Sequence, residues 1–208
     1  MTIGVLAIQG DFAAHQRRLV ELGAEVLLIR KSEQLSSIDA LVIPGGESTT
    51  ILKFLERDGF LDRLRIFARE RPVFGTCAGA ILLASEVASP PQRSLEVLDM
   101  SIRRNAYGRQ ADSSIRQGET TLGDGPLEMV FIRAPRIERV GLAVEVLARQ
   151  GGDPVLVRQG MVMAATFHPE LSQDVRVHAE FLRMARNGEN GLEKPVRSSG
   201  VAVSDLPK

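Results

Sequence analysis

The stretch Pro72-Val-Phe-Gly-Thr-Cys-Ala-Gly-Ala80 leaves this chain few ways to fold. An apolar run of strand character enters two glycines set evenly about a cysteine, and a helical run over Ala78–Glu86 follows. A tight strand–turn–helix bend strains the residue at its tip. It leaves no room for side chains two positions to either side, which accounts for Gly75 and Gly79. The pattern is that of a nucleophile elbow with cysteine in place of serine. It sets the Cys77 thiol near a helix N-terminus, where an anion is favoured. The backbone N–H of Ala78, next along, is placed to donate to an oxyanion. The competing reading of Cys77 is a buried structural thiol; the flanking glycines argue against it.

The rest of the chain supplies a frame for such an elbow. Short apolar runs alternate with helical patterns: strands at Ile3–Ile8, Glu25–Ile29, Ala40–Ile43 and Val73–Thr76, and helices near Asp11–Leu22, Ser48–Arg57 and Phe60–Glu70. This alternation predicts an α/β fold, a three-layer sandwich whose mostly parallel sheet is covered on both faces. After Pro90-Pro91 the pattern changes. Leu95–Arg104 and Ser113–Leu122 read as strands with no helix between them, so a small antiparallel excursion is expected. Met129–Ile132, Ala143–Leu147, Val155–Arg158 and Met161–Phe167 read as further strands. Gln173–Asn187 reads as a closing helix with Ser172 available to cap it. Residues 1–187 are therefore expected to form a single domain. Residues 188–208, rich in Gly, Ser, Pro and charge, are expected to form a mobile tail.

Composition excludes several function classes. The chain has 208 residues, 44% of them hydrophobic, which is enough for one well-buried domain. Lys+Arg and Asp+Glu are 26 each, so no basic excess points to nucleic acid or an anionic membrane. No apolar run approaches the ~18 residues of a membrane span. Met1–Gly10 lacks Lys and Arg and Asp11 follows at once, which predicts no signal peptide. A lone cysteine rules out an internal disulfide and suits a reducing, cytoplasmic setting. No cluster of metal-ligand spacing is present, and no metal or other cofactor is expected.

Two further segments carry chemistry. In Thr166-Phe-His-Pro-Glu170, His168 ends an apolar run and Glu170 lies two residues on. A thiol nucleophile needs a base, and the base needs a carboxylate to fix its tautomer. The stiff bend at Pro169 lets His168 and Glu170 meet side by side; the alternative is a surface histidine beside an unrelated acid. His15 and His178 lie within helical patterns and are poorer bases, although His15 follows the first strand's end and so lies near the same edge. In Pro44-Gly-Gly-Glu-Ser-Thr49, two glycines between a strand and a helix let the backbone approach a ligand with its N–H groups inward. Ligands of an open parallel sheet bind beyond the carboxyl ends of its strands. The Gln9-Gly10 turn, Pro44–Ser48 and Cys77 all fall at such ends. The GxxxxGK[ST] and GxGxxG nucleotide patterns are missing.

Taken in order, these segments resemble the class I glutamine amidotransferases, which are flavodoxin-like. They resemble most closely the glutaminase subunits of pyridoxal 5′-phosphate synthase. The resemblance rests on Ile3-Gly-Val-Leu-Ala-Ile-Gln-Gly10, Pro44–Thr49, Gly75–Gly79, Arg103-Arg-Asn-Ala-Tyr-Gly-Arg-Gln110, Phe131-Ile-Arg-Ala-Pro135 and His168-Pro-Glu-Leu171. It runs from Ile3 to Asn187 and leaves out the tail; within Ser94–Leu122 it holds only at the Arg103–Gln110 centre. It implies Cys77 as nucleophile, His168 as base and acid, and Glu170 as the group that orients it. It further implies that Gly46, Glu47, Ser48, Arg104, Ile132 and Arg133 contact L-glutamine, and that the Gly46 and Ala78 N–H groups form the oxyanion hole. Glutamine is a zwitterion, and Glu47 and Arg104 offer the opposite charges it needs. The partner so implied is a synthase subunit that uses the ammonia, with pyridoxal phosphate as its product and not a cofactor of this chain. Competing readings are a glutaminase for another synthase, such as that of histidine biosynthesis, a cysteine peptidase, and an inactive regulatory subunit.

Overall fold

A computed structural model describes residues 1–104, 106 and 113–191, the side chains of 189–191 excepted. Of the Arg103–Gln110 segment, Asn105 and residues 107–110 lie outside the described residues, as does 192–208.

Five strands run mutually parallel in the order β2 (Glu25–Ile29), β1 (Thr2–Leu6), β3 (Ala40–Ile43), β4 (Val73–Thr76) and β12 (Val162–Ala165). This is the 2-1-3-4-5 order of flavodoxin-like sheets, with its reversal between β1 and β3. Four strands extend the sheet beyond β12, each antiparallel to the last: β11 (Asp153–Gln159), β10 (Glu145–Gln150), β7 (Ser114–Thr120) and β8 (Leu127–Phe131). Since β10 and β8 point the same way as the first five, seven of the nine strands share one direction. The sheet is covered on both faces. On one lie α2 (Ser48–Leu55), α3 (Phe60–Glu70) and α4 (Ala78–Leu83), together with a separate three-stranded sheet of β5 (Ala84–Ala88), β6 (Leu98–Arg103) and β9 (Arg136–Val140). On the other lie α1 (Phe12–Glu21) and α5 (Arg176–Gly191).

The parallel strands are all but sealed from solvent because both faces are covered. Ile3, Val5, Leu41, Val42, Val73 and Phe74 are fully buried, each contributing roughly 1.5–3 kcal/mol of apolar burial. In α3, Leu61, Leu64 and Ala68 recur at helical spacing and face the core, while Asp62, Arg63 and Glu70 stay outside. Asp11 caps α1 by accepting from the Ala14 N–H at 3.1 Å.

The structure departs from the sequence expectation in several places. The helix expected over Ala78–Glu86 stops at Leu83, and Ala84–Ala88 pairs with β6 as a strand. The two strands read as one excursion separate: Leu98–Arg103 joins the small sheet, and Ser114–Thr120 joins the large one. Ser172 does not cap the closing helix. Its hydroxyl accepts from the Asp174 N–H, and Asp174 in turn accepts from the Arg176 N–H. That helix continues to Gly191, into the span expected to be tail.

Candidate active site

The carboxyl ends of β1, β3, β4 and β12 converge, and the cleft outside them gathers the residues singled out above. Cys77 sits between β4 and α4 at φ 47° and ψ −100°, a conformation an L-residue rarely takes. The crowding explains its glycines. A Cβ at Gly75 would stand 2.5 Å from the Gly79 carbonyl carbon, and one at Gly79 would collide with the Ile43 carbonyl oxygen. The bend is pinned by the Cys77 N–H, which donates to the Ala165 carbonyl of β12 at 2.8 Å. The thiol is 7% exposed, and its sulfur lies 4.0 Å from the Ile132 carbonyl oxygen.

His168 leaves β12 with its own N–H bonded to the Val130 carbonyl of β8 at 2.8 Å. Pro169–Leu171 form one 3₁₀ turn, closed by Leu171 N–H on the His168 carbonyl at 3.2 Å. That turn folds Glu170 back beneath the imidazole, where its Oε1 lies 2.7 Å from His168 Nδ1. The other side of the ring faces the elbow: a Cβ at Gly45 would meet His168 Cε1 at 2.5 Å and the Cys77 Cβ at 3.3 Å. Burial works against a charge on His168. The hydrogen bonds with Cys77 and Glu170 and their negative charges outweigh it, so the pKa rises to about 10. Glu170 is 3% exposed. Burial alone would raise its pKa, but the facing imidazole of His15 and the bond to His168 hold it below the ordinary carboxylate range.

Gly46, Glu47, Ser48, Arg104, Ile132 and Arg133 line the same cleft as Cys77 and His168. Gly46 has a φ of 146°, and the preceding carbonyl packs so closely on Gly10 that a Cβ there would overlap it. The Glu47 N–H donates to Gln9 Oε1 at 3.2 Å, tying the β1 turn to the β3 turn. Ser48 is buried and donates to Gln92 Oε1 at 3.0 Å. Arg104 is 7% exposed, with Nη2 3.5 Å from Glu47 Oε1. A buried guanidinium and a half-exposed carboxylate thus stand across one opening, the pattern an amino-acid zwitterion requires. Arg133 holds a left-handed φ of 45° and its side chain is exposed. Ala78 is buried at the first position of α4.

Sequence reasoning missed Asp11, Ile81 and Pro135 as cleft residues. Asp11 had a signal, since it follows the β1 turn at the strand-order reversal. It also set aside His15 and His178. Both are fully buried behind Glu170, with His15 Nε2 3.3 Å from Glu170 Oε2.

A doubly wound sheet that presents a cysteine elbow to a His–Glu pair is the architecture of a glutamine amidotransferase. The family model of the SNO glutamine amidotransferases matches residues 5–187, and the chain belongs to that family. Among curated proteins it is 60% identical over 191 residues to the pyridoxal 5′-phosphate synthase subunit PdxT of Koribacter versatilis (strain Ellin345), covering 92% of this chain and 99% of that one. It is 48% identical to the protein of the same name from Thermosipho africanus (strain TCF52B), covering 89% of this chain and 100% of that one. A solved structure described as a glutamine amidotransferase superposes with a TM-score of 0.83 at 49% identity, over 88% of this chain and 98% of the other. A chain of the PurLQS structure from Thermotoga maritima shares the fold at 14% identity, with a TM-score of 0.68 over 88% of this chain and 97% of the other.

Proposed function

We propose that this chain hydrolyses the side-chain amide of L-glutamine and delivers the ammonia to the synthase subunit of a pyridoxal 5′-phosphate synthase, in vitamin B6 biosynthesis. Residues 1–187 serve as the glutaminase domain. A catalytic thiol without a disulfide partner suits the cytoplasm. The observation that carries the reading is the 2.7 Å bond between His168 Nδ1 and Glu170 Oε1, on an imidazole whose other side packs with the elbow cysteine against Gly45.

The chemistry runs in two halves. The Cys77 thiolate attacks the amide carbon of glutamine, and the carbonyl electrons move onto oxygen, held by the N–H groups of Gly46 and Ala78. The intermediate collapses as imidazolium His168 gives its proton to the departing nitrogen, so ammonia leaves and a thioester remains. His168, now neutral, takes a proton from water as the water attacks the thioester. Glutamate departs and the Cys77 thiolate with protonated His168 is regenerated. Glu170 keeps the imidazole in one tautomer and balances its charge. Glu47 and Arg104 bind the α-amino and α-carboxylate groups, and Ser48, Ile132 and Arg133 complete the contact. The relatives named above are the reason to prefer a pyridoxal phosphate synthase over another acceptor of ammonia.

A peptide flanked by Gly45 and Gly46 turns at little steric cost, and a missing oxyanion donor costs ~2.7–4 kcal/mol of transition-state stabilisation. Docking of the synthase subunit is therefore expected to raise the rate by setting the Gly46 N–H inward. The test is glutamate release from glutamine by the chain alone and with the purified synthase subunit. No hydrolysis in either case sinks the reading, and equal rates in both remove the dependence on the partner.

A further inference from the structure

Behind Glu170 lies a line of buried polar groups that the chemistry above does not use. His15 projects from α1 and His178 from α5, and both are 0% exposed. His15 Nδ1 lies 3.0 Å from His178 Nε2. His15 Nε2 lies 3.1 Å from the Thr76 hydroxyl and 3.3 Å from Glu170 Oε2. Among the described residues, that carboxylate oxygen accepts no aligned hydrogen bond, and His178 Nδ1 has no partner. Phe74 meets both rings edge-on, with centroids 6.3 and 6.1 Å away, so the pair lies against the apolar core.

These distances select one arrangement of protons. Were the His15 proton on Nδ1, the bare Nε2 lone pair would face the Glu170 carboxylate at 3.3 Å, two electron-rich atoms in a dry interior. His178 would then have to accept at Nε2 and carry its proton on Nδ1, as a buried donor with nothing among the described residues to bond. Orphaned buried N–H groups are rarer and costlier than orphaned acceptors. The opposite arrangement leaves a single bare lone pair, on His178 Nδ1. His15 is also kept neutral. Burial and the nearby His168 lower its pKa more than Glu170 and Asp11 raise it. Burial, together with His15 and Arg18, takes His178 down to about 3 against the pull of Glu170. An N–H dipole, rather than a second cation, therefore faces the carboxylate.

We propose that His15 and His178 are positioning residues for glutamine hydrolysis. In this one-way chain, His178 Nε2–H donates to His15 Nδ1, and His15 Nε2–H, shared with Thr76, points at Glu170 Oε2 and keeps that carboxylate ionised and in register with His168. The proposal rests on the reading of Glu170 as the acid behind the base. Its physical content is that one carboxylate oxygen serves His168 while the other depends on a donor from a different layer of the fold.

The test begins with ¹⁵N NMR of the imidazoles in the full chain, which has three histidines. His15 and His178 should both be neutral Nε2–H tautomers from pH 8 to pH 5. An Nδ1–H tautomer or a protonated ring at His15 overturns the proposal. Activity then reports on Glu170. Replacing the donor in His15→Leu makes Glu170 easier to protonate, so the acidic limb of kcat/KM should move to higher pH. kcat should fall about 10- to 100-fold, by analogy with the outer partners of metal-bound histidines, while KM for glutamine stays unchanged. His15→Gln, whose terminal N–H₂ stands near the ring Nε2, should restore the limb. His178→Phe, a change the aromatic surroundings of Phe74 and Phe181 tolerate, should shift the limb the same way by less, and it decides the matter if His15→Leu does not fold. Unshifted limbs in the folded variants overturn the chain of donors while the glutaminase reading stands. A wild-type chain inactive even with the synthase subunit sinks both.

Discussion

The parallel strands and the antiparallel extension reach the cleft by different means. Each of β1, β3, β4 and β12 ends at it, so Gly10, Gly46, Cys77 and His168 are neighbours by topology alone. Among the described residues, the strands outside the parallel set reach the cleft at a few points: Arg104 after β6, and Ile132, Arg133 and Pro135 after β8. The last three arrive because the extension turns β8 back toward His168, whose N–H bonds the Val130 carbonyl; Arg104 comes from the small sheet instead. The parallel half therefore carries the groups proposed to react, and the later additions supply walls of the cleft. The lesson is that the switch-point geometry of a doubly wound sheet assembles the chemistry before any contribution from its elaborations.

Substitutions can break that division. The largest effect is expected for Cys77→Ala, which should abolish glutamine hydrolysis and leave far-UV circular dichroism unchanged; residual hydrolysis near wild type would remove the assignment. Glu170→Gln keeps the shape and removes the charge, and kcat should fall by roughly 10²–10⁴. A loss under twofold would show that Glu170 does not serve His168. Leu147→Ala empties a buried position of β10 in the extension. It should cost about 2–5 kcal/mol in a denaturant titration and leave kcat within about twofold. A loss of kcat well beyond that would show that the extension does more than build walls. Ile115→Ser, at an exposed position of β7, should stay within about 0.5 kcal/mol of wild-type stability.

The same division decides how much was legible in the sequence. In the parallel half the spans Glu25–Ile29, Ala40–Ile43, Phe60–Glu70 and Val73–Thr76 read from sequence are those of the structure. Strands buried on both faces are continuous apolar runs, and the glycines that end them sit where backbone must approach backbone. The small sheet offered no such signal. Ala84-Ser-Glu-Val-Ala88 has helical composition and continues an alanine- and leucine-rich helix; pairing with β6 overrides that local preference. In Arg136-Ile-Glu-Arg-Val140 the residue in the core is Ile137, the charges flanking it are exposed, and no alternation is long enough to announce a strand. At the site, the segments around Cys77, His168 and Pro44–Ser48 stood out because their spacing was local. His15 and His178 did not. They ride on the first and last of the described helices, away from the turn that holds Glu170. A histidine inside a helical pattern carries no mark of what faces it across the core.

The backbone at Cys77 has a further consequence, for the balance between endurance and activity. A side chain at φ 47° and ψ −100° sits where glycine alone is at ease, and such a residue costs of order 1–3 kcal/mol to hold. The surrounding strands and α4 bear that cost continuously, whether or not glutamine is present. A chain selected for durability alone would carry glycine at position 77. Cys77→Gly should accordingly melt no lower than Cys77→Ala, although glycine ordinarily loses to alanine through the entropy of the unfolded chain. A lower melting temperature for the glycine variant would show that the elbow is relaxed. The thiol is kept at the least comfortable point of the fold, and on the proposed chemistry that is the point substrate, base and oxyanion donors can all reach.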